Sequence, residues 1–138
     1  MGEPGATAGE LLKTLNKPFN KHTASTLRST LFLNQSGRFK SVPLPDQAQW
    51  APSLAISIYD VDRDGHQDLF LNQNFFPVRS EIPRIDGGLG LWLRGDGKGG
   101  WTVLSPSESG IRAAGDQRTA AVWEWNDQGD VQWIITQN

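Results

Sequence analysis

Cysteine is absent from the chain, which excludes a disulfide framework and any thiolate metal site and leaves the redox compartment unreadable. Long apolar runs are missing too. No window approaches the ~18 apolar residues of a transmembrane helix, and the start Met1-Gly2-Glu3-Pro4-Gly5 has neither the basic nor the apolar region of a secretory leader. Neither sign of charge dominates. Thirteen basic and 15 acidic residues are scattered to a net charge of -2, so no basic stripe offers itself to nucleic acid. Helical periodicity is confined to residues 9–16, where Leu11, Leu12 and Leu15 precede the helix-stopping Pro18.

What the chain does have is Gly (15), Pro (8) and short β-prone runs. These are Leu31-Phe32-Leu33, Ala55-Ile56-Ser57-Ile58-Tyr59, Asp68-Leu69-Phe70-Leu71, Leu91-Trp92-Leu93, Trp101-Thr102-Val103-Leu104, Ala121-Val122-Trp123 and Trp133-Ile134-Ile135, with turn residues between almost all of them. The order also repeats. Residues 68–74 align with 132–138 at a spacing of 64, and the same offset sets Gly65 on Gly129 and Asp62 on Asn126. Leu31-Phe32-Leu33 and its Gly turn match Leu91-Trp92-Leu93 and a slightly longer Gly-rich turn.

The expected organisation is therefore a connector with a short helix (1–30), a first unit (31–74), an inserted loop (75–90) and a second unit (91–138). Each unit reads as strand, Gly turn, strand, loop, strand, acidic turn, strand. Four strands at a period of roughly 60 residues suit a propeller blade better than a helical solenoid. The fold class expected is all-β, with blades of four antiparallel strands: two blades of a larger propeller, behind a short N-terminal helix.

The chemistry concentrates in Asp60-Val61-Asp62-Arg63-Asp64-Gly65-His66-Gln67-Asp68. Calcium takes six to eight hard oxygen ligands, and carboxylates at loop positions 1, 3, 5 and 9 with a carbonyl at 7 can supply them. Asp60, Asp62, Asp64 and Asp68 fill the carboxylate places, and His66 would offer its backbone oxygen. Four carboxylates this close repel one another without a cation. An EF-hand is excluded, because position 12 is Leu71 rather than a bidentate Glu and both flanks are β-like. The second copy, Glu124-Trp125-Asn126-Asp127-Gln128-Gly129-Asp130-Val131-Gln132, replaces three of the four expected carboxylates by amides and is read as a turn kept for its shape.

Residues 60–69 resemble the D-x-D-x-D-G-x-x-D-L motif of FG-GAP/VCBS-type repeats of integrin-like β-propellers. Residues 68–76 and 133–138 are similar to the repeats of bacterial proteins associated with ASPIC/UnbV domains, relatives of the cartilage acidic proteins. The resemblance covers 31–138. It implies a secreted, periplasmic or envelope-associated calcium (Ca2+) protein, non-catalytic, whose partner is a protein or a glycan. Two departures stand out: the second loop is degraded, and the Phe-Gly-Gly-Ala-Pro element is missing. Two blades would leave strand edges open, to be covered by further blades of a longer parent chain or by self-association.

For catalysis the candidates are few. His22 lies in a polar connector and His66 inside the acidic loop, while Gly95-Asp96-Gly97-Lys98-Gly99-Gly100 sits between two strands and reads as a hairpin turn rather than a phosphate cradle. The alternative reading is the carbohydrate-binding, non-catalytic β part of a larger secreted hydrolase, its sugar surface built from some of the six tryptophans. Trp92, Trp101 and Trp133 alternate as core strand residues do.

Overall fold

The structure, a computed structural model, describes residues 9, 22–78, 80–83 and 85–138. The helix expected over 9–16 lies outside the described residues apart from Gly9. Short β-prone runs between turns form eight strands among the described residues: β1 (Thr30–Gln35), β2 (Arg38–Pro43), β3 (Ala55–Tyr59), β4 (Asp68–Asn72), β5 (Leu91–Gly95), β6 (Trp101–Leu104), β7 (Gln117–Glu124) and β8 (Val131–Gln137). A 3₁₀ turn at Asp46–Gln49 and a one-turn helix α1 (Pro106–Ser109) complete the elements. The protein is mostly β, all its ladders are antiparallel, and no helix among the described residues is long and apolar enough to cross a membrane.

The strands form three sheets, β1-β2, β3-β4-β5-β6 and β7-β8. β4 is buried along its whole length because it has strands on both edges and side chains packed on both faces. On one face Leu69, Leu71, Leu91 and Leu93 bury against Leu44 and Ala48, with Leu31, Trp101 and Val103 closing the cluster. On the other, Phe70 and Trp92 meet Trp133 of β8, with ring centroids 5.2 and 4.8 Å from that indole. Each fully buried side chain of this size contributes roughly 1.5–3 kcal/mol relative to exposure. The hairpins β1-β2 and β7-β8 thus flank the central sheet on opposite faces. Ser57 Oγ donates to the carbonyl of Ala120 at 2.8 Å across the second of these interfaces.

The two hairpins β3-β4 and β7-β8 share one register. Ala55↔Asn72, Ile58↔Leu69 and Tyr59↔Asp68 reappear as Thr119↔Thr136, Val122↔Trp133 and Trp123↔Gln132, every partner moved by 64 residues. The sheets, however, do not follow the expected units 31–74 and 91–138. The four-stranded sheet runs from 55 to 104 and straddles both, so 75–90 is a connection inside one sheet rather than a loop between two.

The reason lies at the end of β4. Asn74, buried and at φ 81°, accepts from the N–H groups of Gly87 (2.7 Å) and Gly88 (3.2 Å) and donates to the carbonyls of Gly88 and Gly115. Next to it Phe75 and Ile85 exchange backbone hydrogen bonds at 2.7 and 3.1 Å. This bracket returns the chain beside β4 and delivers β5 to its free edge.

A second difference concerns faces. Leu91 and Leu93 point toward the β1-β2 side of the sheet, whereas Leu31 packs from β1 onto that same cluster and Leu33 lies over Gly99. Residue types align Leu31 with Leu91, but side-chain direction aligns Leu31 with Trp92 and Phe32 with Leu93, a slip of one residue.

Candidate metal centre

The acidic loop closes the β3-β4 hairpin, with Asp60 directly after β3 and Asp68 opening β4. Gly65 sits at φ 86°, where a side chain is strained, and Arg63 at φ 61° is in the left-handed region that non-glycine residues seldom occupy. The turn they make brings Asp60, Asp62 and Asp68 together, one carboxylate oxygen of each within 4.8 Å of the others.

The loop's own N–H groups hold these side chains in place. Asp60 accepts from Asp64 N (3.1 Å) and Gly65 N (2.9 Å), and Asp62 accepts from Asp64 N at 3.2 Å. Asp68 is buried and accepts from Val61 N at 3.1 Å and Gly95 N at 3.0 Å, so it ties the loop to β5. Of the five residues expected as ligands, then, three converge. Asp64 stands outside the group, its carboxylate accepting from His66 N at 2.8 Å, and the His66 ring lies against Gly97 of the β5-β6 turn.

The donor set suits a hard cation. A carboxylate has about four acceptor positions, so the backbone N–H groups leave capacity on each of the three. Three negative charges share this small volume, and the cation nearest them, Arg94, approaches Asp62 only at 4.0 Å while remaining half exposed. Asp60, Asp62 and Asp68 would hold the ion, with carbonyl and water oxygens completing the six to eight ligands calcium takes. Among the described residues no other group of three acidic or histidine side chains is close enough to do the same.

Loop 124–132 keeps the turn glycine, Gly129 at φ 76° where Gly65 stands in the first, but not the backbone around it: Asp127, the twin of Arg63, is not at positive φ, and Gly129 N donates to the carbonyl of Asn126 where Gly65 N donates to the Asp60 carboxylate. Asn126 accepts from Gln128 N (3.1 Å), as Asp62 accepts from Asp64 N, and also from Asp130 N (3.0 Å), whose counterpart His66 N donates to Asp64 instead. Its amide then donates to Asp130 at 2.8 Å. Arg63 reaches across from the first loop to the carbonyl of Gly129 and lies 4.0 Å from Asp130. The Tyr59 hydroxyl donates to Glu124, and this bond, reinforced by the nearby negative charge, raises the phenol above its ordinary pKa.

Three tryptophans are packing residues: Trp92 is buried, and Trp101 and Trp133 are half-buried against the sheet. Sequence reading missed Asn74, a buried polar residue whose only signal was its place after β4, and missed Gly95 as the donor that pins Asp68. Compared with protein-family models, with curated proteins and with solved structures, the chain finds no match.

Proposed function

We propose that the chain is a calcium-stabilised β-repeat module of the FG-GAP/VCBS propeller type. In this reading β3-β4-β5-β6 is one blade and β1-β2 and β7-β8 are halves of its neighbours. It is a non-catalytic binding module that works outside the cell or in the envelope, with a protein or glycan as its ligand. The observation that carries the reading is the convergence of Asp60, Asp62 and Asp68 at a hairpin whose register twin keeps an acid only at the first of these places, Glu124, with Asn126 and Gln132 at the others.

Extracellular calcium modules bind with dissociation constants of about 10⁻⁴ to 10⁻³ M, a strength filled in calcium-rich media and left unfilled in a cytosol. At ten times that constant, linkage adds about 1.4 kcal/mol of stability. Thermal unfolding in EDTA, millimolar magnesium and millimolar calcium tests this. A rise of several degrees specific to calcium is expected, and identical curves in all three would reject the metal reading.

A glycan surface is a second reading, favoured by the exposed indoles of Trp50, Trp123 and Trp125. Quenching of indole fluorescence by soluble oligosaccharides would support it, and indifference would remove it.

A further inference from the structure

Among the described residues, β8 pairs only with β7 and β1 only with β2, so the outer edges of β8 and of β1 have no strand beside them. The central sheet contains the joint these edges lack: β4, second strand of one hairpin, pairs antiparallel with β5, first strand of the next, through Leu69↔Leu93, Phe70↔Trp92 and Leu71↔Leu91. β7-β8 matches β3-β4 residue for residue at the 64-residue offset. β1-β2 corresponds to β5-β6 once faces are matched, with Phe32 in the place of Leu93 and Phe39 in that of Trp101.

We propose that β1-β2 of a second copy of this chain adds to β8, forming a composite sheet β7-β8-β1-β2 on the pattern of β3-β4-β5-β6. Transfer of the internal joint gives the register: Trp133 opposite Phe32 of the second copy, Ile134 opposite Leu31 and Ile135 opposite Thr30. The faces agree with this register. Trp133 points toward its own central sheet, and Phe32 and Phe39, exposed at 59% and 69%, point away from theirs.

The space to be filled exists. A cleft of about 610 Å³ lies beside β8 over the outer part of the central sheet, lined by Trp92, Thr102, Leu104 and Trp133 among others. The incoming phenylalanines would enter it. Charge is complementary as well. The β5-β6 turn lies beside loop 60–68, joined to it by the bond from Gly95 N to Asp68, and the same joint would place the β1-β2 turn beside loop 124–132. The β1-β2 hairpin carries Arg38 and Lys40 and no acid, and that loop carries Glu124, Asp127 and Asp130 and no base.

Two different patches meet in this contact, so it is heterologous and closes into a ring or runs on as a filament. With two sheets per copy, a ring of the ~4–8 sheets found in propellers needs roughly two to four copies. The ring count rests on the propeller reading, and because Asp62 and Asp68 also line the cleft, association is measured without metal so that its outcome is separate from the calcium reading.

Sedimentation velocity of the whole chain across a concentration series in EDTA is the first measurement, and species of two or more copies are expected. Phe32→Lys and, separately, Phe39→Lys should weaken association by at least about tenfold, as removal of an interface anchor does, with an unchanged circular dichroism spectrum. Because the chain has no cysteine, register is read by mixing Thr30→Cys with Ile135→Cys under oxidation, since directly opposed antiparallel residues are close enough for a disulfide. The mixed 30–135 dimer should dominate, and Ile134→Cys in place of Ile135→Cys should cross-link poorly, because its side chain leaves the other face. A monomer at every concentration, association indifferent to both lysine variants, or 30–30 and 135–135 dimers forming as readily as the mixed one would overturn the proposal.

Discussion

Loop 60–68 draws three carboxylates to one point, whereas in loop 124–132 one of the three acids, Asp130, is joined to the amide of Asn126. Both close hairpins of identical register, and both turn through a glycine at positive φ. The turn glycine is thus kept where the carboxylates are not, while the backbone around it is held by a different set of bonds. Asn126 keeps the one backbone bond that Asp62 makes, adds a second from Asp130 N, and through its N–H₂ group donates to Asp130, a donor that a carboxylate at Asp62 cannot supply.

The largest contrast is expected at the last position of each loop. Asp68→Ala strips the acceptor from Val61 N and Gly95 N beside a buried strand and should cost about 2–4 kcal/mol in urea denaturation, while Gln132→Ala at the exposed twin position should stay within about 0.5 kcal/mol. Equal losses would mean that the two loops are not the pair their registers suggest.

A smaller effect sharpens the electrostatic half of the comparison. Asp62→Asn should abolish the calcium-dependent gain of about 1.4 kcal/mol. Asn126→Asp should destabilise the chain in EDTA by about 1 kcal/mol, through the lost bond to Asp130, and confer a second calcium-dependent increment. Calorimetric stoichiometry reads the change directly, with one ion per chain becoming two. A stoichiometry that stays at one would show that charge alone does not distinguish the loops.

The smallest effect concerns the contact between them. Tyr59 is the chain's only tyrosine, so phenolate absorbance reports it alone. Its bond to Glu124 holds the folded pKa above the ordinary 10.0, so the stabilisation is full below that value and is lost as pH rises through the higher folded one. Glu124→Gln should move the titration back toward pH 10, and an unmoved midpoint would detach Tyr59 from the second loop.

Much of this could be read from the residues. All seven apolar runs are strands, because period-two alternation and turn glycines are local signals. β2 was visible only as the return from the Ser36-Gly37 turn, both of whose residues have positive φ, since five of its six side chains are exposed and give no alternation. Pairing between hairpins was not legible. Local pattern fixes the register within a hairpin but not which edges meet across the 18 residues from 73 to 90, where Asn74 and the Phe75–Ile85 bridge direct the chain. The one-residue slip of β1 was hidden because Leu-Phe-Leu and Leu-Trp-Leu are apolar on both faces. In the site, the spacing of the aspartates named all three converging residues, and with them Asp64, whose carboxylate stands outside the group and accepts from His66 N.

The bracket at Asn74 and the Phe75–Ile85 bridge sets the path of β5 before the chain reaches the tip of the 75–90 segment. The tip's length is thereby uncoupled from the sheet, since closing a longer loop over a fixed base adds only about 0.6 kcal/mol for each doubling. Residues 80–83 are then a port for cargo, where an epitope, a peptide ligand or a small folded domain can be spliced in and displayed on a rigid β platform.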